Sequence, residues 1–148
     1  MAQSTTNLLL KLSAVLWIIW GVVHILAGVL TVSRDTQAAI AGKANAVDPA
    51  LLDMIYHPAV GAVLNQHGFN LLWFGVTTLV AALYIWRRVP AAIFIAALVG
   101  GLADAGYFIF LDLGGFVNFV PGTVMTLVSG FAIIMSLIAY YLGMRETP

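Results

Sequence analysis

Two ionisable side chains, His24 and Asp104, stand inside long apolar stretches of this sequence. A charged group at the centre of a membrane span costs ~2.5–3.5 kcal/mol on insertion scales, so such residues face a bundle interior and find partners there. An imidazole and a carboxylate held together in a dry pocket can trade a proton near neutral pH. In an enzymatic version of that chemistry His24 transfers the proton and Asp104 orients it. The plainer reading is a self-satisfying buried pair, whose joint replacement by apolar residues of similar volume is nearly neutral. Around the pair, His67 and Asn70 mark the start of the second apolar stretch, and Thr126 lies in the fourth with Thr123, Ser129 and Ser136. Hydroxyls in spanning helices commonly bond their own backbone. Trp17, Trp20, Trp73 and Phe74 supply aromatic surface for the walls of an apolar pocket. His57, just before Pro58, reads as solvated. The candidate ligand-binding set is therefore His24, His67, Asn70, Asp104, Trp20, Trp73 and Thr126, with His24 and Asp104 as the candidate catalytic pair.

Two ligand chemistries compete for the same histidines. His24 and His67, on different helices of a bundle, suit the axial positions of a b-type haem. With Asp104 they also suit zinc, iron or copper. Depth weighs against both, because His24 stands about 13 residues and His67 about 20 residues above the inner ends of their helices, a gap of ~10 Å at helical rise. The chain has no cysteine, which removes disulfides, thiolate metal sites and thiol nucleophiles. It carries no HExxH, GxSxG or phosphate-loop motif. No two carboxylates stand close together within a span, which argues against a dimetal bundle. A formal net charge of zero leaves no basic footprint for nucleic acid. Intramembrane Asp and His often form relays, yet the inner half of every span is closed by Leu, Ile and Val, which argues against a channel within one copy. The remaining class is a non-catalytic scaffold or accessory subunit of a membrane complex, or a homo-oligomer.

The elements that position these residues follow from composition. The chain is 62% hydrophobic and 8% charged, where a soluble domain has ~45–50% apolar and ~25% charged residues. Six basic and six acidic residues cannot coat a soluble domain of this size. Crossing the hydrocarbon core takes about 20 apolar residues in a helix, and four stretches qualify: 12–32, 68–86, 91–111 and 120–142. The sequence thus predicts an all-α, polytopic integral membrane protein. Residues 1–148 form a single domain, a four-transmembrane-helix bundle, with a long outer loop over 33–67. The first stretch exceeds the ~7–15 residues of a signal-peptide core and reads as a true span.

Basic residues in short loops set orientation. Lys11, Arg87, Arg88 and Arg145 fall on one side, and Arg34 and Lys43 on the other, which predicts both termini inside a cytoplasmic (inner) membrane. Trp86, Tyr140 and Tyr141 mark its inner boundary as interfacial aromatics do. Within the outer loop, Asp48-Pro49 reads as an N-cap followed by proline at the first helical position. It predicts a short helix ending near Pro58, either resting on headgroups or covering an opening between the spans.

His24 lies about eight residues from the outer end of its span and Asp104 about seven, or ~10–12 Å inward for both. Asn70 and Thr126 fall nearby, giving one polar layer open toward the outer leaflet. Helical spacing places Trp17, Gly21, His24 and Gly28 on one face. Ala97, Gly101, Asp104 and Phe108 make a second stripe, and Thr123, Thr126, Gly130 and Ile133 a third. The glycines beside His24 allow a neighbouring helix to approach closely. A small or lipophilic ligand bound at that layer is the function these residues favour.

Overall fold

A computed structural model describes residues 2–144 of the chain. Arg145, counted above among the inner charges, lies outside the described residues. Helix α1 spans Ala2–Ser33, α2 spans Thr36–Lys43, α3 is the single turn Pro49–Leu52 and α4 spans Pro58–Trp86. Helix α5 covers Pro90–Asp112 and α6 covers Phe119–Gly143. There is no strand among the described residues. Four helices, α1, α4, α5 and α6, are long and apolar enough to cross a membrane.

Helix ends differ from the hydropathy boundaries. Helix α1 begins at Ala2 rather than 12, because no glycine or proline interrupts the polar stretch before Leu8. Helix α4 begins at Pro58 rather than 68, which shortens the expected 33–67 loop. Pro58 was expected to stop a helix and instead starts one: it takes the first helical position, where a missing N–H costs nothing. The His57 Nδ1 accepts the Ala59 N–H at 3.2 Å and caps that end. The loop holds two helical pieces. Asp48 caps α3 through the Ala50 N–H, as its sequence predicts. Helix α2 was not anticipated; Asp35 caps it by accepting the Ala38 N–H at 2.8 Å.

The bundle is built on α1 and α4, which run antiparallel with glycine against glycine. A Cβ on Gly75 would fall 2.6 Å from the Gly21 carbonyl oxygen, and one on Gly28 would fall 2.6 Å from that of Gly68. The partners stand seven residues apart on each helix, so one face of α1 stays in backbone contact with α4 over a full heptad. Beyond these contacts the interior holds Leu10, Ala14, Trp17 and Trp20 of α1 against Ala82 and Ile85 of α4, Ile93 and Ala96 of α5 and Ala132 of α6. Ser13 donates to the Ala132 carbonyl at 2.8 Å across the α1–α6 seam. The opposite faces of all four helices expose large apolar side chains, among them Leu26, Val76, Leu98, Leu102, Phe131 and Ile134.

Two of the three stripes shift. In α5 the backbone widens into a π turn over Ala97–Gly101. Gly100 then faces the core against the Trp17 ring, and Gly101 faces Ile133 of α6. Phe108 points outward at 42% exposure, and Tyr107 takes the inner position beside Asp104. In α6 the inward face is Ser129, Ala132, Ser136 and Ala139, the smallest side chains available at helical spacing. Gly130 faces open space. The α1 stripe stands as expected, with Trp17, Gly21 and Gly28 buried and His24 partly so.

Candidate functional site

Asp104 is 4% exposed and receives both neighbours from α1. The Trp20 indole Nε1–H donates to Oδ2 at 2.6 Å. His24 Nε2 lies 3.8 Å from Oδ1, within ion-pair range and too far for a hydrogen bond. His24 Nδ1 meets the Trp20 carbonyl oxygen at 2.8 Å. A carbonyl only accepts, so Nδ1 carries the proton in that contact. The second nitrogen is therefore the one that gains or loses a proton, and it faces the carboxylate. The His24 ring also stacks on the Trp20 indole, with centroids 3.5 Å apart and planes 17° apart. One residue thus orients both partners: Trp20 fixes Asp104 with its side chain and His24 with its backbone and ring. Asp104 stands at Nε2 of the ring, and the Trp20 carbonyl stands at Nδ1.

A cavity of about 430 Å³ opens beside the pair, within the ~300–1,000 Å³ of small-molecule sites. His24 and Asp104 form its deep polar wall. Val23, Leu71, Phe74, Ala103 and Met125 supply apolar sides. Toward the end of the bundle that carries α2 and α3, the lining becomes Gly42, Lys43, Asn45 and His67, and Gly42, Asn45 and His67 are exposed there. On the flank between α5 and α6 it reaches Phe110, 72% exposed, and Pro121. The cavity is therefore open at its mouth and along one side.

The residues expected in the site separate into two groups. His24, His67 and Asp104 line the cavity, and Trp20 supports it from behind. Asn70 and Trp73 do not line it; Trp73 donates its indole N–H to Asn70 at 3.1 Å, and Trp73 is 42% exposed. Thr126 lies off the cavity with a buried hydroxyl that has no partner. Its neighbour Ser129 is buried next to Asp104 and donates to the Thr126 carbonyl. Lys43, Asn45 and Tyr107 line the cavity and were not anticipated. Tyr107 was within reach of helical spacing, three residues after Asp104. Lys43 stands outside the spans, and burial pushes its ammonium down to about 8.

Among the described residues no group of three or more His, Asp or Glu side chains stands close enough to hold a metal ion. An iron ligand at His24 would have to use Nε2, because Nδ1 is held by the Trp20 carbonyl, and Nε2 faces Asp104. Comparison with protein-family models, with curated proteins and with solved structures finds no match for the chain.

Proposed function

We propose that this integral membrane protein binds a small lipophilic ligand in a membrane-embedded cavity that opens toward the outer leaflet, with both termini inside a cytoplasmic membrane. The observation that carries this reading is a polar pair in a cavity with apolar sides: His24 and Asp104 lie where a ligand carbonyl or hydroxyl would meet them. The 3.8 Å between Nε2 and Oδ1 leaves both atoms with bonding capacity for such a group. A proton leaving a ligand hydroxyl would pass to His24 Nε2, which can accept it while Nδ1–H is held by the Trp20 carbonyl, and the Asp104 carboxylate would balance the imidazolium formed. Orientation follows the basic residues: Arg88 bonds Asn7, and Lys11 lies over the Trp86 ring, so positive charge gathers with an interfacial aromatic at the end opposite the cavity mouth.

Gly106 gives a direct test. It lines the cavity, and a Cβ there meets nothing within 4 Å, so Gly106→Phe is the variant chosen to fill the space. Native mass spectrometry of the purified protein should show a bound small molecule that Gly106→Phe and the His24→Ala/Asp104→Leu double variant both lose, with the fold retained. A wild-type protein that carries nothing, and takes up no lipophile when exposed to membrane extracts, removes this reading in favour of a scaffold subunit. A Soret band in the purified protein, before or after dithionite, would restore haem.

A further inference from the structure

The mouth of the cavity carries positive charge that no ion pair among the described residues neutralises. Lys43 lines it and is partly buried, and among the described residues it has no hydrogen bond and no ion pair. His67 of α4 lines the same mouth. A second cation stands close by: the Arg34 guanidinium rests near Gly42, 3.4 Å from where a Cβ would be. The carboxylates that could answer them are committed elsewhere. Asp35 takes the Ala38 N–H, Asp48 takes the Ala50 N–H, Asp53 takes the Gln37 amide and Asp112 takes the Thr123 hydroxyl. Asp104, the remaining acid among the described residues, is held by the Trp20 indole beside His24.

A lysine drawn out of water without a partner is costly, and the cost is offset when a bound anion supplies the missing charge. The ammonium is already held down to about 8 by that burial, so it is protonated near neutral pH while remaining poorly solvated. Val23, Leu71, Phe74, Ala103 and Met125 line the same cavity as this cation and the His24–Asp104 pair. Such a combination of surfaces matches a molecule with an acidic head and an apolar body.

Building on the ligand-binding reading above, we infer that the cavity takes an amphiphile with an acidic headgroup, which Lys43 binds at the mouth while the chain runs along the apolar walls toward His24 and Asp104. Neutral lipophiles of the same chain are then second-rank ligands, and specificity resides in α2 rather than in the spans.

A matched pair of probes tests this in the full chain, reconstituted in phosphatidylcholine nanodiscs. cis-Parinaric acid and its methyl ester share one fluorescent chain and differ in head charge, and energy transfer from the protein's tryptophans reports their binding. Gly106→Phe supplies the background of probe dissolved in the bilayer. The wild type should bind the acid at least roughly tenfold more tightly than the ester, a difference of about 1.4 kcal/mol. Lys43→Gln should bring the acid to the level of the ester and leave the ester unchanged, and Lys43→Arg should keep the preference. The preference should fade as pH rises past the lysine's titration, with His24, His67, Asp104, Tyr107 and Arg34 as the other groups facing the cavity or its rim. Equal binding of acid and ester, or an acid affinity indifferent to Lys43→Gln, overturns the headgroup assignment and leaves the cavity reading standing. Failure of both probes to bind above the Gly106→Phe background overturns the two together.

Discussion

Trp20 and Asp104 are joined across the α1–α5 interface by a 2.6 Å hydrogen bond from the indole N–H to a carboxylate oxygen. Both residues are buried, so neither has water as a substitute partner. Trp20→Phe should keep the aromatic face against His24 and leave Oδ2 without its donor. The expected loss is about 1–3 kcal/mol, the penalty for a buried polar group left unpaired, read as a lower unfolding midpoint in detergent. Adding Asp104→Leu to Trp20→Phe should recover part of that loss, because no carboxylate is then left unpaired. Strictly additive single and double variants would mean that the bond contributes nothing.

The glycine seam makes a sharper contrast. Gly75→Ala places a methyl group 2.6 Å from the Gly21 carbonyl, and α1 or α4 must move to admit it. Overpacking of this kind costs about 1–3 kcal/mol. Gly130→Ala meets nothing within 4 Å and should be neutral or slightly stabilising, since alanine is worth up to ~1 kcal/mol over glycine in a helix. Denaturant unfolding followed by circular dichroism checks both; equal effects would mean that α1 and α4 are not in backbone contact.

Hydropathy made the four spans legible because lipid demands long apolar runs, and it misplaced their ends for the same reason. Residues such as Gln3, Asn65 and Gln66 are too polar for a hydropathy boundary, yet they continue α1 and α4 as helix. His24 and Asp104 were legible as a pair because ionisable residues within apolar runs are scarce and their depths agree. Trp20 was proposed as a wall, and its role as the shared anchor was hidden, although it stands four residues before His24 and so on the same face. The inward stripe of α5 was missed because a π turn at Ala97–Gly101 changes the phase of a helix without leaving a signature in residue type. Lys43 was missed because loop residues acquire burial only from long-range contacts.

The lysine also predicts a pH dependence. Its ammonium titrates near 8 in the folded chain, against about 10.4 when unfolded. The unfolded state therefore binds more protons between these values, and stability rises with pH. Below pH 8 the penalty of burying the charge is fully present; above about 10.4 it is gone. The difference in melting temperature between wild type and Lys43→Met should therefore change between pH 7.5 and 9.5, with the wild type gaining on the variant. A constant difference would place Lys43 in full contact with water.

Orientation is open to a clean experiment because the chain has no cysteine. Ile55 is fully exposed beside α3, and Val89 lies in the turn between α4 and α5 at the opposite end. A membrane-impermeant maleimide added to intact cells should label Ile55→Cys and spare Val89→Cys until the membrane is opened. The reverse pattern would put the cavity mouth on the cytoplasmic side and turn the entry route around.

The last prediction concerns access. Asn45 accepts the Asn118 backbone N–H at 2.6 Å, and its carbonyl accepts the Asn118 side-chain amide at 2.9 Å; the Ala46 N–H adds a bond to the Phe116 carbonyl. These contacts tie the α2–α3 segment to the α5–α6 loop, and Asn45 itself lines the cavity. Asn45→Ala removes the side-chain acceptor while the backbone contacts remain. One neutral hydrogen bond is worth about 0.5–1.5 kcal/mol, so the tie should open roughly two- to tenfold more often at 1.4 kcal/mol per decade. Hydrogen exchange should quicken at Asn118 and in residues 44–47 together, and ligand release should quicken by a similar factor with little change in melting temperature. Faster exchange without faster release would mean that ligands leave through the flank between α5 and α6, past Phe110 and Pro121, and that the tie braces the loops without gating the cavity.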